Sequence, residues 1–181
     1  MSMPRLPLFV YGTLVPCNGF ANFEKVLSKR VSLFPPDSKQ TEGYTVATAA
    51  GYKVFHLEGF PGVQRGNMDD VVVGALVYPT GTDAEYVETI MEADRLENYN
   101  GIVDDPSNEY RRIEITTTVL STTEEPKQVR AWIYECLLDL SERQRILHGD
   151  WPKFMKENNL KDAADDWSDL HAASSSSLIA S

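Results

Sequence analysis

The stretch Val71-Val72-Val73-Gly74-Ala75-Leu76-Val77-Tyr78 does most to limit how this chain can fold. It is almost continuously apolar and rich in β-branched residues, a composition that suits a strand. Because odd and even positions are both apolar, the strand needs cover on both faces. It is far shorter than the roughly 20 apolar residues of a membrane-spanning helix. The rest of the chain must therefore supply two layers of core around it.

Length and composition are consistent with that task. A chain of 181 residues with 42% hydrophobic and 24% charged residues fits one soluble domain. We expect that domain over residues 1–158, with a weakly ordered, acidic, Ser/Ala-rich tail over 159–181. The formal charge of −10 argues against nucleic acid and anionic membranes as partners. The N-terminus lacks a basic-then-apolar signal pattern, and the two cysteines, Cys17 and Cys136, make no disulfide framework, so a cytoplasmic setting is expected. Three isolated histidines, His56, His148 and His171, form no metal signature, and no phosphate loop or dinucleotide fingerprint occurs. An enzyme of this composition works with carboxylates and backbone dipoles, without metal or cofactor.

In chain order, Leu8-Phe9-Val10 reads as a strand that runs into Tyr11-Gly12-Thr13-Leu14. A buried strand that stops at a glycine leaves backbone N–H groups free for a carboxylate or an oxyanion. The same pattern also describes an ordinary core strand and its turn. Cys17 lies in a turn-rich loop, where a nucleophilic thiol is conceivable and a plain loop residue commoner. A short helix is expected over Ala21–Lys29, and strands over Tyr44–Ala50 and Tyr52–Leu57, the second carrying His56 as a satisfied edge or surface residue. Gly59-Phe60-Pro61-Gly62 reads as a turn cluster outside any ladder.

Thr82-Asp83-Ala84-Glu85 has capping-box spacing and opens a helix expected to reach about Asn98. Helical spacing places Val87, Ile90, Met91 and Asp94 on one face, with Asp94 in mid-stripe and Glu97 at its edge. A core-directed carboxylate in a last helical turn has raised proton affinity, which suits a proton shuttle; a frayed, solvated helix end is the plainer alternative. A polar loop over Asn98–Asn108 is expected to cover the site. Strands follow over Tyr110–Leu120, with Arg111 and Arg112 either pairing with acids or decorating an edge, and over Val129–Leu137. Thr122–Lys127 is expected to be a turn, Ser141–Leu147 a short helix and Gly149-Asp150-Trp151 a turn with an aromatic anchor.

The ordered set Phe9-Val10-Tyr11-Gly12-Thr13-Leu14, Val73–Tyr78, Asp94-x-x-Glu97-x-Tyr99, Tyr110-Arg111-Arg112, Ala131-Trp132-Ile133-Tyr134 and Gly149-Asp150-Trp151 resembles the γ-glutamylcyclotransferase-like (AIG2-like) family. The resemblance covers roughly residues 6–155. It implies an α+β fold, a small mixed β-barrel with flanking helices and a cavity at one end. It further implies that the amides of Tyr11, Gly12, Thr13 and Leu14 hold a γ-glutamyl group and that Glu97 is catalytic. Tyr134 would orient the substrate or that carboxylate, with Asp94, Tyr99 and Arg112 in support. Asn98 departs from the glycine that commonly follows the glutamate. The implied reaction releases 5-oxoproline and a free amine from a small γ-glutamyl compound; the alternative is a non-catalytic binding member of the same fold.

Overall fold

The computed structural model describes residues 3–16, 22–120 and 125–161. In chain order the elements are β1 (Leu8–Val10), a short π-helical turn (Phe23–Leu27), β2 (Val31–Ser32), β3 (Thr45–Ala50), β4 (Tyr52–Leu57) and β5 (Phe60–Arg65). They continue with β6 (Val71–Pro79), α1 (Asp83–Leu96), β7 (Tyr110–Val119), β8 (Lys127–Cys136), β9 (Gln144–Ile146) and α2 (Trp151–Glu157). Cys17, the first half of the Thr122–Lys127 turn and nearly all of the expected tail lie outside the described residues.

β6 is the hub. It pairs antiparallel with β1 (Phe9↔Leu76) and with β3 (Ala47↔Gly74), and β2 extends its far end. β1 also pairs parallel with β8 through Leu8↔Trp132. β8 pairs antiparallel with β7 along its length, and β7 returns to β3. The ladder β1-β8-β7-β3-β6 thus closes on itself as a small mixed barrel, and β5-β4-β9 forms a second sheet beside it. With the helices on its flanks this is an α+β fold.

Both faces of β6 are buried, as its composition requires. Ala75 and Val77 face a cluster with Leu8, Val10 and Ile90, whereas Val72 and Leu76 face another with Phe9, Val54 and Trp151. The two clusters are the two layers of core. Gly74 sits where β1 crosses closely: a Cβ there would lie 2.4 Å from the Val10 carbonyl oxygen and 2.8 Å from the Phe9 ring. Glycine is needed for that approach.

The structure differs from the sequence reading at four places. Phe60–Arg65 is a strand, with Pro61 opposite His56; β5 is the edge of its sheet, where a missing N–H is tolerated. Gln144–Ile146 adds to β4 as a strand instead of a helix, because burying Ile146 in the core outweighs a weak local preference. Helix α2 follows the expected Gly149–Trp151 turn, with Asp150 as its N-cap, Pro152 in its first turn and Trp151 fully buried.

The fourth difference concerns α1, which starts at the expected capping box but ends at Leu96. Its buried residues are Tyr86, Thr89, Ile90, Ala93 and Asp94, while Val87 and Met91 are 40% and 47% exposed. The helix is rotated to insert Tyr86, whose hydroxyl accepts the Leu6 N–H and the Trp132 indole N–H, each at 3.0 Å. On that rotation Tyr86, Ile90, Ala93 and Glu97 fall on one line, so Glu97 holds mid-stripe and Asp94 its flank.

A methyl group at Gly74 should strain the crossing of β1 and β6. Gly74→Ala is expected to cost about 1–3 kcal/mol, seen as a lower thermal midpoint by circular dichroism. An unchanged midpoint would show that the Phe9 ring yields without cost.

Candidate active site

Where β1 ends, the chain turns through Tyr11-Gly12-Thr13-Leu14, closed by the Val15 N–H on the Gly12 carbonyl at 3.0 Å. A Cβ on Gly12 would lie 2.3 Å from Cγ of Pro61, so only glycine lets this turn pass against β5. Asn22 Nδ2 donates to Thr13 Oγ1 at 3.0 Å and fixes the turn from the other side. Among the described residues, the N–H groups of Gly12, Thr13 and Leu14 meet no acceptor. Such a run of free donors favours an anionic group. The Tyr11 hydroxyl donates to the Tyr134 carbonyl at 2.6 Å, so this side chain braces the wall. Burial pushes its phenol well above the ordinary range.

This turn forms one side of a cavity of about 320 Å³. Phe60 and Pro61 of β5, the end of α1, Tyr110 of β7 and Tyr134 of β8 complete it. The volume is at the lower end for small-molecule sites. Glu97, the C-cap residue of α1, lines this space and is half-buried. Among the described residues the carboxyl has no hydrogen-bond or ion-pair partner. Loss of solvent, and then the negative charge of Asp94, push its pKa up to about 8.

Asp94 is held differently. Nη1 of Arg112 lies 2.6 Å from each carboxylate oxygen, and the Tyr134 hydroxyl donates to Oδ1 at 2.7 Å. Burial raises the Asp94 pKa, while Tyr134 and Arg112 work against that rise. The Arg112 guanidinium also lies over the Trp132 ring at 5.3 Å and the Tyr99 ring at 5.8 Å. The backbone of Tyr99 donates to the Asp94 carbonyl at 2.9 Å, which ties the chain after the helix to the same carboxylate residue. Of the two arginines left open by the sequence, both pair with acids: Arg111 reaches Glu135 at 2.7 Å.

Tyr11, Gly12, Thr13, Leu14, Glu97 and Tyr134 thus meet around one cavity. Asp94, Tyr99 and Arg112 stand behind its wall. Tyr134 turns its hydroxyl to Asp94, not to Glu97. Sequence reasoning left Tyr110, Asn22, Phe60 and Glu109 without a role, although all line the cavity. Tyr110 opens β7 and donates its hydroxyl to the Pro61 carbonyl at 2.7 Å; its place in the Tyr-Arg-Arg motif was the available signal. The loop expected as a cover is knit together by its own side chains. Asn108 accepts the Asn100 N–H at 3.0 Å and donates to the Ile102 carbonyl at 2.9 Å.

The family model described as Gamma-glutamyl cyclotransferase, AIG2-like, matches residues 8–153. Among solved structures, the solution NMR structure of protein ytfP from Escherichia coli is similar, at 18% identity and a TM-score of 0.49. That match covers 81% of this chain and 96% of the other. None of the curated proteins compared with the chain matches it. The matched span takes in every cavity residue described above, from the turn after β1 to Tyr134. The chain belongs to the AIG2-like gamma-glutamyl cyclotransferase family.

Proposed function

We propose that this protein is a cofactor-free γ-glutamyl cyclotransferase, with Glu97 as its general acid/base. The observation that carries this reading is the unpartnered Glu97 carboxyl, set at a cavity that a turn of free N–H donors also lines. The reaction needs no protein nucleophile. The α-amine nitrogen of a γ-glutamyl amide attacks its own γ-carbonyl carbon, closing a five-membered ring. The original C–N amide bond breaks, and the proton lost by the attacking nitrogen is delivered to the departing amine. Products are 5-oxoproline and the free amine.

Each requirement has a candidate group in the cavity. A substrate folded for attack gains the advantage of proximity, and a cavity of this size favours the folded form. Ionised Glu97 takes the proton from the attacking amine and returns it to the leaving nitrogen. A pKa near 8 lets it work in both directions at physiological pH. The N–H groups of Gly12, Thr13 and Leu14 hold the substrate carboxylate or the oxyanion. Tyr134 and Arg112 act on Glu97 through Asp94, keeping a negative charge beside it.

The deciding experiment measures 5-oxoproline release from γ-glutamyl-alanine, γ-glutamyl-ε-lysine and glutathione. Glu97→Gln should keep the fold and lose at least about 100-fold in kcat, the usual scale for a positioned acid/base. Full activity in Glu97→Gln would remove that residue from the role. Binding of these compounds by wild type without release would favour the non-catalytic reading.

A second test uses pH. In wild type, kcat/KM should rise with pH toward about 8 as Glu97 ionises. Asp94→Asn removes the negative neighbour and leaves the Arg112 charge uncompensated; both changes favour ionised Glu97. The rising limb should move to lower pH, and an unmoved limb would uncouple the two residues.

Stability should report the same group. Folding raises the Glu97 pKa from 4.5 to about 8, so the native state binds more protons than the unfolded state between these values. Its contribution to stability falls as pH rises through that window and is constant above it. Glu97→Gln lacks this loss. Denaturant midpoints should therefore show the variant gaining on wild type from pH 4.5 to 8.

A further inference from the structure

Asn22 stands where a helix cap belongs and does not cap. It precedes the π-helical turn Phe23–Leu27 with helical φ and ψ of −66° and −37°, and its side chain makes no capping bond. An asparagine in that place usually accepts a backbone N–H of its own helix. Here its amide Nδ2 donates to Thr13 Oγ1 at 3.0 Å, on the turn after β1. Phe23 and Leu27, both buried, anchor the π-helical turn in the core, so Asn22 keeps its place without the cap. Such turns are rare and are found mostly at functional sites. The direction of the Asn22–Thr13 bond matters. A threonine hydroxyl has a single proton to give, and an oxygen that already accepts keeps that proton for another partner. Among the described residues the Thr13 hydroxyl donates to nothing. Thr13 and Asn22 both line the cavity, so the hydroxyl joins the free N–H groups of Gly12, Thr13 and Leu14. The arginines at and behind the cavity wall are engaged elsewhere, Arg95 by Glu92 and Arg112 by Asp94.

Building on the cyclotransferase reading, we propose that Asn22 is a positioning residue: by occupying the Thr13 oxygen, its amide commits the Thr13 hydroxyl proton to the α-carboxylate of the γ-glutamyl group. The supply of donors favours the carboxylate over the oxyanion. A carboxylate offers about four lone-pair sites, whereas an oxyanion hole is commonly made by about two N–H groups. With the arginines paired away, neutral donors alone hold the carboxylate, and each carries a larger share of the binding. A hydrogen bond to an ionised acceptor is roughly twice as strong as one between neutral groups. Loss of the Thr13 proton therefore costs a charged substrate end more than a neutral one. Asn22 does not touch this carboxylate; it acts through the direction in which Thr13 donates.

A matched pair of probes tests the proposal: γ-glutamyl-alanine, and its analogue in which the α-carboxylate of the glutamyl residue is a carboxamide. Affinity is measured by calorimetry in Glu97→Gln, where turnover does not interfere, and kcat and KM in the otherwise unaltered chain. Thr13→Val keeps the shape and removes the hydroxyl. It should weaken the carboxylate probe about tenfold and the carboxamide probe about threefold, the scales of a charged and a neutral hydrogen bond. Thr13→Ser, which keeps the hydroxyl, should match wild type on both. Asn22→Asp presents an acceptor to Thr13 and takes its proton, so the carboxylate probe should lose at least as much as in Thr13→Val. Asn22→Ala should cost that probe less than Thr13→Val does, and nothing further in the Thr13→Val background. Should Thr13→Val fail to hold its thermal midpoint, Asn22→Asp, which leaves the turn itself unaltered, carries the same contrast. Equal losses on the two probes in the folded variant, or a cost of Asn22→Ala that persists in the Thr13→Val background, overturns the proposal. So does a fall in kcat with affinity unchanged, which would put the hydroxyl at the oxyanion. Carboxylate-dependent binding with no 5-oxoproline released by wild type would support this role of Asn22 and count against the cyclotransferase reading instead.

Discussion

The contact between Arg112 and Asp94 ties the cavity side of this molecule together. A guanidinium on β7 reaches a carboxylate on α1, and a phenol from β8 meets the same oxygen. Both charged side chains are largely buried, at 15% and 12% exposure, so each is a liability without the other. The pair adds little net stability by itself. Its effect is to fix the end of the helix against the barrel and to keep a negative charge close to Glu97. The aromatic rings of Tyr99 and Trp132 around the guanidinium make that arrangement difficult to exchange for another cation.

Much of the fold could be read from the chain because its strongest signals were also its most central elements. Val71–Tyr78 announced a strand covered on both faces, and β6 proved to be the shared wall of two core clusters. The capping box at Thr82 set the start of α1, and the turn after β1 stands where a strand meeting Gly12 would put it. The rotation of α1 was not legible, because its cause is non-local. Tyr86 is inserted to satisfy partners near residue 6 and at Trp132, which the helical sequence does not contain. Strand β9 and the ladder position of Pro61 depend likewise on a neighbour, β4, that no local pattern names.

The candidate site divides in the same way. Glu97 and the Gly12–Leu14 turn were visible as residue types in an informative order. Their proximity was a matter of resemblance, since nothing in spacing brings residue 12 to residue 97. Tyr134 lines the same cavity as Glu97, but its hydroxyl addresses Asp94. The two carboxylates divide the work of the region, one gripped by an arginine and a phenol and the other left without a partner at the cavity.

Pro61 gives the N–H turn an unexpected dependence. Its ring is the surface against which Gly12 is pressed, and its carbonyl is the acceptor that positions Tyr110 on the cavity's far wall. The shape of the Gly12–Leu14 turn is thus set by a hairpin outside the barrel, distant from Glu97 in sequence. In a lineage of such proteins, changes in the β4–β5 hairpin would reshape the cavity while Glu97 and the Gly12–Leu14 turn stayed the same. Diversification of the cavity would then be recorded in the second sheet, away from the motifs by which such chains are recognised.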